Sequence, residues 1–153
     1  GGALGSVGLS PQPTAGGNVG LGLRYGSFAL YGEGRIDLPV SIELGAGVVR
    51  TSLLLGTLLP CLQWRHFGAC VSLSVGALQV DGRLAFGRRD TSLVAKAGVR
   101  LQYEWMPFRH LGLLIHAEVD AVPTRVTVFA DDLSIWSTSP VAANGGLGII
   151  GVF

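Results

Sequence analysis

The feature that most limits what this chain can become is the alternation of charged and aliphatic residues inside its extended stretches. In Phe28–Val40, one set of alternate positions holds Phe28, Leu30, Ile36, Leu38 and Val40, and the other holds Ala29, Tyr31, Glu33, Arg35 and Asp37. In Ser92–Met106, Ala97, Val99, Leu101, Tyr103 and Trp105 oppose Lys96, Gly98, Arg100, Gln102 and Glu104. In Leu111–Val122, Leu113, Ile115, Ala117, Val119 and Ala121 oppose His116, Glu118 and Asp120. A period of two is that of a β-strand with one apolar and one polar face. The polar face carries full charges in mid-strand, spaced so that opposite signs can pair across neighbours. A buried charge is tolerated only when it is paired and hydrogen-bonded, so this face suits an enclosed polar interior.

Turn-like residues divide the chain into eight such stretches: Ala3–Leu9, Asn18–Tyr25, Phe28–Val40, Val48–Leu62, Ala69–Arg83, Ser92–Met106, Leu111–Val122 and Val141–Phe153. Several exceed the usual soluble strand of about five to six residues and suit the roughly 9–11 residues that cross a bilayer at a tilt. A helical crossing is excluded. The longest apolar run, Thr51 to Trp64, is bounded by Arg50 and Arg65 and interrupted by Gly56, Thr57 and Pro60, short of the about 20 residues a transmembrane helix needs. Gly1–Leu23 and Leu133–Phe153 lack charge but are rich in Gly, Pro, Ser, Thr and Asn, poor material for a helix. Charged residues make up 14%, against roughly a quarter in soluble domains, and 24 glycines would relieve crowding in a tightly curved sheet.

An even strand count brings the last strand beside the first and leaves no edge, which lipid demands. Eight strands leave a lumen that side chains just fill. We therefore expect an all-β fold: an eight-stranded antiparallel up-and-down transmembrane β-barrel with its N- and C-termini on the periplasmic side. Residues 1–153 would form a single domain of a mature or trimmed chain, with an upstream periplasmic part left open. The fourth and fifth strands fit least well. Leu53–Leu55 and Leu58–Leu59 put apolar residues on both faces, and a phase slip after Gly76-Ala77 predicts a bulge there. A soluble lipocalin-like barrel would show the same alternation with inside and outside exchanged.

The aromatic residues separate these two cases. With strands running alternately up and down, Tyr25 and Phe28 flank the first periplasmic turn, Trp64 and Phe67 the second, and Tyr103, Trp105 and Phe108 the third. Phe153 ends the chain on that side, whereas Phe86, Phe129 and Trp136 fall in or beside the opposite loops, and only Tyr31 lies mid-strand on the polar face. Two girdles are expected of a spanning barrel, while a soluble core buries its aromatics centrally.

The chain ends in Gly-Leu-Gly-Ile-Ile-Gly-Val-Phe. This resembles the C-terminal signal of bacterial outer-membrane β-barrel proteins: a terminal Phe153 with Ile149 and Leu147 at alternate positions, although Gly151 stands where a larger residue is common. The resemblance implies that this strand is read by the barrel-assembly machinery. The chain is also similar to a group of outer-membrane barrel proteins from myxobacteria and relatives. That likeness rests on Gly34-Arg35-Ile36-Asp37-Leu38-Pro39, Arg50-Thr51-Ser52-Leu53-Leu54-Leu55-Gly56, the pair Cys61 and Cys70, and Trp136-Ser137-Thr138-Ser139-Pro140. It covers most of the chain and implies a fold and an outer-membrane location in a Gram-negative bacterium, but no activity.

Cys61 and Cys70 bracket the turn between strands four and five, where a disulfide would clip the hairpin in an oxidising periplasm; two free thiols are the alternative. Arg24, Glu33, Arg35, Asp37, Lys96, Arg100, Glu104, His116, Glu118 and Asp120 are expected to form a structural network filling the lumen, with no continuous pore and no catalytic residues. His116 with Glu118 and Asp120 is the one hint of acid–base chemistry. With Ser72 or Ser74 it would suit a lipid-modifying enzyme, and a narrow channel is a further alternative. His66, Arg65, His110 and Arg109 read as interfacial charge, and Arg88-Arg89 and Asp131-Asp132 as loop tips. No Cys or His spacing suggests a metal, no cofactor motif has its setting, and a net charge of +1 gives no nucleic-acid footprint. The expected partners are outer-membrane lipid and lipopolysaccharide, and the barrel itself a monomer.

Overall fold

The computed structural model describes residues 1–9, 12–44, 47–83, 88–124, 127–130, 133–137 and 139–152, with side chains described outside 42–49, 80–90 and 125–138. Among the described residues ten strands are formed: β1 Gly2–Val7, β2 Thr14–Tyr25, β3 Phe28–Leu44, β4 Gly47–Trp64, β5 Phe67–Arg83, β6 Arg88–Trp105, β7 Leu111–Ala121, β8 Thr127–Ala130, β9 Leu133–Ser137 and β10 Val141–Gly151. Eight of them close an antiparallel barrel in the order β1-β10-β7-β6-β5-β4-β3-β2, and β8 pairs with β9 as a separate hairpin. β2–β3 and β4–β5 are joined by two-residue turns, since Tyr25 stands opposite Phe28 and Trp64 opposite Phe67.

The barrel is polar inside and aliphatic outside. Leu21 and Leu23 on the outer face are 87% and 83% exposed, whereas Lys96 and Asp120 in the lumen are 4% and 1% exposed. A soluble barrel would have to reverse both sets. Leu30, Leu54, Leu58, Leu62, Val71, Leu73, Val99, Leu101, Leu113, Ile115 and Val119 continue the outer face around the molecule. Such a surface is stable only against hydrocarbon.

One expectation about register needs correction. β5 has no bulge at Gly76-Ala77: its pairing with β4 and β6 runs through those residues without a shift, and Cys70, Ser72, Ser74 and Leu78 all face inward in one phase. The slip read from the sequence comes from an apolar residue, Leu78, occupying a lumen position. The bulge lies in β3, where the register with β4 shifts between Asp37 and Val40. Proline has no N–H for the ladder, so Pro39 interrupts the pairing at that place. β4 is likewise regular, with Leu53, Leu55 and Leu59 inside and Leu54, Leu58 and Leu62 outside.

Two of the barrel strands are longer than expected at the end away from the termini: β3 continues to Leu44 rather than Val40, and β6 begins at Arg88 rather than Ser92, while β4 begins at Gly47, within one residue of the expected Val48. With β5 they form a four-stranded wall, while β7 and β10 stop at Ala121 and Val141. Polarity changes where the wall begins. Outside, the row Leu54–Ala77–Leu93 is followed by Ser52–Gln79–Thr91, and the backbone ladder continues in register through Ser41–Arg50–Asp81–Arg89. In register with the lumen, Thr57–Ser74–Lys96 gives way to Leu55–Gly76–Val94 and then to Leu53 and Leu78. The outer apolar positions of β4 therefore span Leu54 to Trp64. Roughly ten residue steps rise about 33 Å along a strand, or ~25 Å along the axis at a typical tilt, the height of a bilayer-spanning apolar band.

Candidate functional site

The chemistry-bearing side chains gather in the lumen, because the strand period delivers every second residue of each barrel strand there. At the end away from the termini the lumen holds an apolar layer of Leu9, Leu53, Leu55, Leu78, Val94, Val122 and Ala142, all buried. The sequence reading missed this layer. Its signal was the apolar residues on both faces of strand four, which mark the point where the interior ceases to be polar.

Beneath it lie two charge clusters. Arg35 donates from Nε to Asp37 Oδ1 at 2.7 Å, and from Nη2 to Asp37 Oδ2 at 2.7 Å and Ser6 Oγ at 2.6 Å. Thr14 Oγ1 adds a bond to the same carboxylate at 3.1 Å. On the opposite wall Lys96 Nζ reaches Glu118 at 2.7 Å and Asp120 at 2.5 Å, and Ser72 donates to Asp120 at 2.8 Å. Arg100 joins the walls, with Nε on Glu118 at 2.6 Å and Nη1 on both oxygens of Glu33 at 2.8 and 2.9 Å. Asn18 Nδ2 also donates to Glu33.

Toward the termini, Cys61 and Cys70 stand opposite each other on β4 and β5 and are joined as a disulfide. Both are buried, packing with Ala29, Leu59 and Tyr31 inside the barrel. Glu104 comes next and accepts from Gln63 at 2.9 Å, Gln102 at 3.1 Å and Tyr31 at 3.3 Å, with Arg24 Nη1 at 3.5 Å. Arg24 is the most exposed of the ten lumen residues named from the sequence. Gln63, Asn18, Ser6 and Thr14 were not singled out, although Gln63 follows the inward phase of β4.

His116 is brought to the lumen but to no partner. It is buried, and neither ring nitrogen has a hydrogen bond among the described residues. It lines a cavity of about 560 Å³ together with Asn18, Tyr31, Glu33, Gln102 and Glu104. The set His116, acid and Ser is not assembled as a relay: Ser72 is bound to Asp120, and Ser74 shares a hydrogen bond with Thr57 at 2.8 Å. Among the described residues no group of three or more His, Cys, Asp or Glu side chains is placed to hold a metal ion.

The aromatic residues lie where the strand ends put them. Tyr25, Phe28, Trp64, Phe67, Trp105 and Phe108 are exposed at the end that carries the termini, and Tyr103 stacks obliquely on Phe67 with ring centroids 5.0 Å apart. Leu147 and Ile149 are exposed on the outer face of β10. Phe153, Phe86 and Asp131-Asp132, and the side chains of Trp136, Phe129 and Arg88-Arg89, fall outside what the structure describes.

A closed eight-stranded antiparallel barrel with charges inside and a ~25 Å aliphatic band outside defines the class: an integral β-barrel protein of the bacterial outer-membrane type. No protein-family model matches the chain, and no curated protein matches it in sequence. Among solved structures it is similar to Ail, the attachment invasion locus protein of Yersinia pestis, in the crystal structure of its complex with the heparin analogue sucrose octasulfate. The TM-score is 0.61 over 99% of this chain and 94% of the other, at 14% identity. The likeness is one of fold.

Proposed function

We propose that the barrel is an outer-membrane anchor for a surface interaction, with a plugged lumen that neither catalyses a reaction nor passes ions. The observation that supports this reading is the layer of buried apolar side chains, Leu53, Leu55, Leu78 and Val94 among them, lying over a lumen whose charges are paired. Four cations, Arg24, Arg35, Lys96 and Arg100, meet five carboxylates, Glu33, Asp37, Glu104, Glu118 and Asp120, so no strong excess of one sign is left to select an ion. The β3–β6 wall and the β8–β9 hairpin supply the interacting surface. Crystallisation of Ail with a heparin analogue supports a binding role for barrels of this shape.

In this reading residues 1–153 are one monomeric domain, and the end bearing the termini faces the periplasm. Tyr25, Phe28, Trp64, Phe67, Tyr103, Trp105, Phe108, Trp136 and Phe153 form the aromatic girdles, with outer-membrane lipid and lipopolysaccharide around them. Leu147, Ile149 and Phe153 form the signal read by the barrel-assembly machinery. The test is gel mobility of unheated against boiled protein in detergent, followed by planar-bilayer recording. A faster unheated band with a silent bilayer is expected. Reproducible conductance would establish a narrow channel instead, and solubility without detergent would remove the membrane reading.

One observation favours a second reading, a lipid-modifying enzyme: the unpartnered His116 in an open cavity. It predicts a lipid-modifying activity that His116→Ala abolishes while the heat-dependent gel shift is kept.

A further inference from the structure

We propose that the barrel carries a binding site for an anionic glycerophospholipid on its outer face, at the β4–β5 turn. The inference rests on the membrane-spanning reading and goes beyond it, because a generic lipid-facing wall needs neither a groove nor an unpaired cation.

The groove is an apolar cavity of about 410 Å³ walled by Leu62 and Trp64 on one side and Leu101 and Tyr103 on the other. Its floor is Ala69, which stands in register between Leu62 and Leu101. A methyl group flanked by two leucines leaves a channel running along β5, and Phe67 closes its upper end beside Tyr103. Aromatic rings at that height belong at the level where acyl chains meet headgroups.

Directly beyond the groove lies the two-residue turn Arg65-His66. Arg65 has φ 55°, the one non-glycine residue with positive φ among the described residues. The β2–β3 hairpin has the same length and the same aromatic flanks, yet it places Gly26, at φ 60°, in the equivalent position. Glycine or asparagine adopts that conformation without strain, and arginine does not. Backbone strain is kept where a side chain has work to do. The guanidinium is exposed and makes no ion pair among the described residues.

A second arginine, Arg109, occupies the neighbouring β6–β7 connection, and His66 Nδ1 lies 3.1 Å from the Glu104 carbonyl oxygen. None of the three turns at this end contains Asp or Glu, and Glu104, beneath the turn, is buried in the lumen. A basic rim above an apolar groove fits a lipid with an acyl chain below and a negatively charged phosphate headgroup above.

The experiment uses the full chain refolded in detergent and titrated with phosphatidylcholine or phosphatidylglycerol carrying brominated acyl chains. Tryptophan quenching is read in the wild type and in Trp64→Phe, so that the contribution of Trp64 is isolated. Half-quenching of Trp64 is expected at a lipid concentration about fivefold lower for phosphatidylglycerol, the factor equivalent to ~1 kcal/mol per basic side chain at a membrane surface. Arg65→Gly relaxes the turn, so the barrel folds while the preference disappears; Arg65→Lys retains it. Ala69→Phe fills the groove and weakens quenching by both lipids. Equal midpoints for the two lipids, or a preference unchanged in Arg65→Gly, would overturn the proposal. The heat-dependent gel shift of the same samples reports the barrel separately, so loss of the site and loss of the membrane-spanning fold are told apart.

Discussion

Removing Arg100 tests whether the lumen is a dry, self-paired plug or a wet passage. In Arg100→Met the guanidinium goes, and two carboxylates lose their principal partner: Glu33, bound at 2.8 and 2.9 Å, and Glu118, bound at 2.6 Å. Side-chain exposures of 5% for Arg100, 12% for Glu33 and 1% for Glu118 leave little room for water to compensate. Breaking a buried pair by deleting one member costs about 3–5 kcal/mol. Two features place this case near the lower end: Glu118 keeps Lys96 at 2.7 Å, and Glu33 keeps Asn18 and borders the cavity. The expected loss is about 3 kcal/mol, a large share of a typical domain stability of ~5–15 kcal/mol. Adding Glu33→Gln removes one orphaned charge and should return about 1–2 kcal/mol, since residues in one network couple on that scale. The assay is denaturant unfolding in detergent micelles, followed by tryptophan fluorescence and heat-dependent gel mobility. A loss under about 1 kcal/mol, unchanged by the second substitution, would refute the reasoning: water would then be screening the lumen charges.

Three other consequences are open to measurement. Reduction, or Cys61→Ser with Cys70→Ser, removes a crosslink between residues nine apart and should lower stability by about 2–3 kcal/mol on the chain-entropy account, read as a shifted unfolding midpoint. Val99→Arg puts a guanidinium on the lipid face several residues below Tyr103; the folding free energy in vesicles should fall by about 2–4 kcal/mol, whereas a soluble barrel would tolerate the change. Gly98 and Gly32 should differ sharply when each is changed to alanine. A Cβ at Gly98 meets the Val119 carbonyl and the Asp120 backbone, so the barrel should lose about 1–3 kcal/mol, while nothing lies within 4 Å of one at Gly32, where the unfolding midpoint should hold or rise.

The barrel was legible because lipid and lumen impose opposite demands on alternate residues. Phe28–Asp37, Lys96–Trp105 and Leu111–Asp120 obey both demands, and their faces could be read directly. Legibility failed wherever the interior stopped being polar. Leu53, Leu55 and Leu78 face inward with Val94, so they resemble lipid-facing residues and hid the regular registers of β4 and β5, while β3 and β6 were read four residues short. The start of β2 was set at Asn18 rather than Thr14 because Ala15-Gly16-Gly17 carries no alternation. The β8–β9 hairpin was missed as strand altogether. Pro39 offered a local signal for the β3 bulge that the apparent slip at Gly76-Ala77 obscured. Partners inside the lumen were the least legible. That Arg100 spans to Glu33, or that His116 is left without one, depends on which strands face each other across the barrel, and strand alternation alone does not encode that distance.

The wall has a consequence for recognition. Many binding surfaces are built from loops, which must be frozen when a partner arrives, at about 1–2 kcal/mol per ordered residue. Here the ends of β3 to β6 are already hydrogen-bonded in register before anything docks, from Ser41–Arg50 across to Asp81–Arg89. A partner would meet a preorganised sheet and lose little conformational entropy on association. The positions on its outer rows lie above the aliphatic band and outside the lumen, so they are free to diverge. Specificity can drift there, one residue at a time, while the crossing below stays intact.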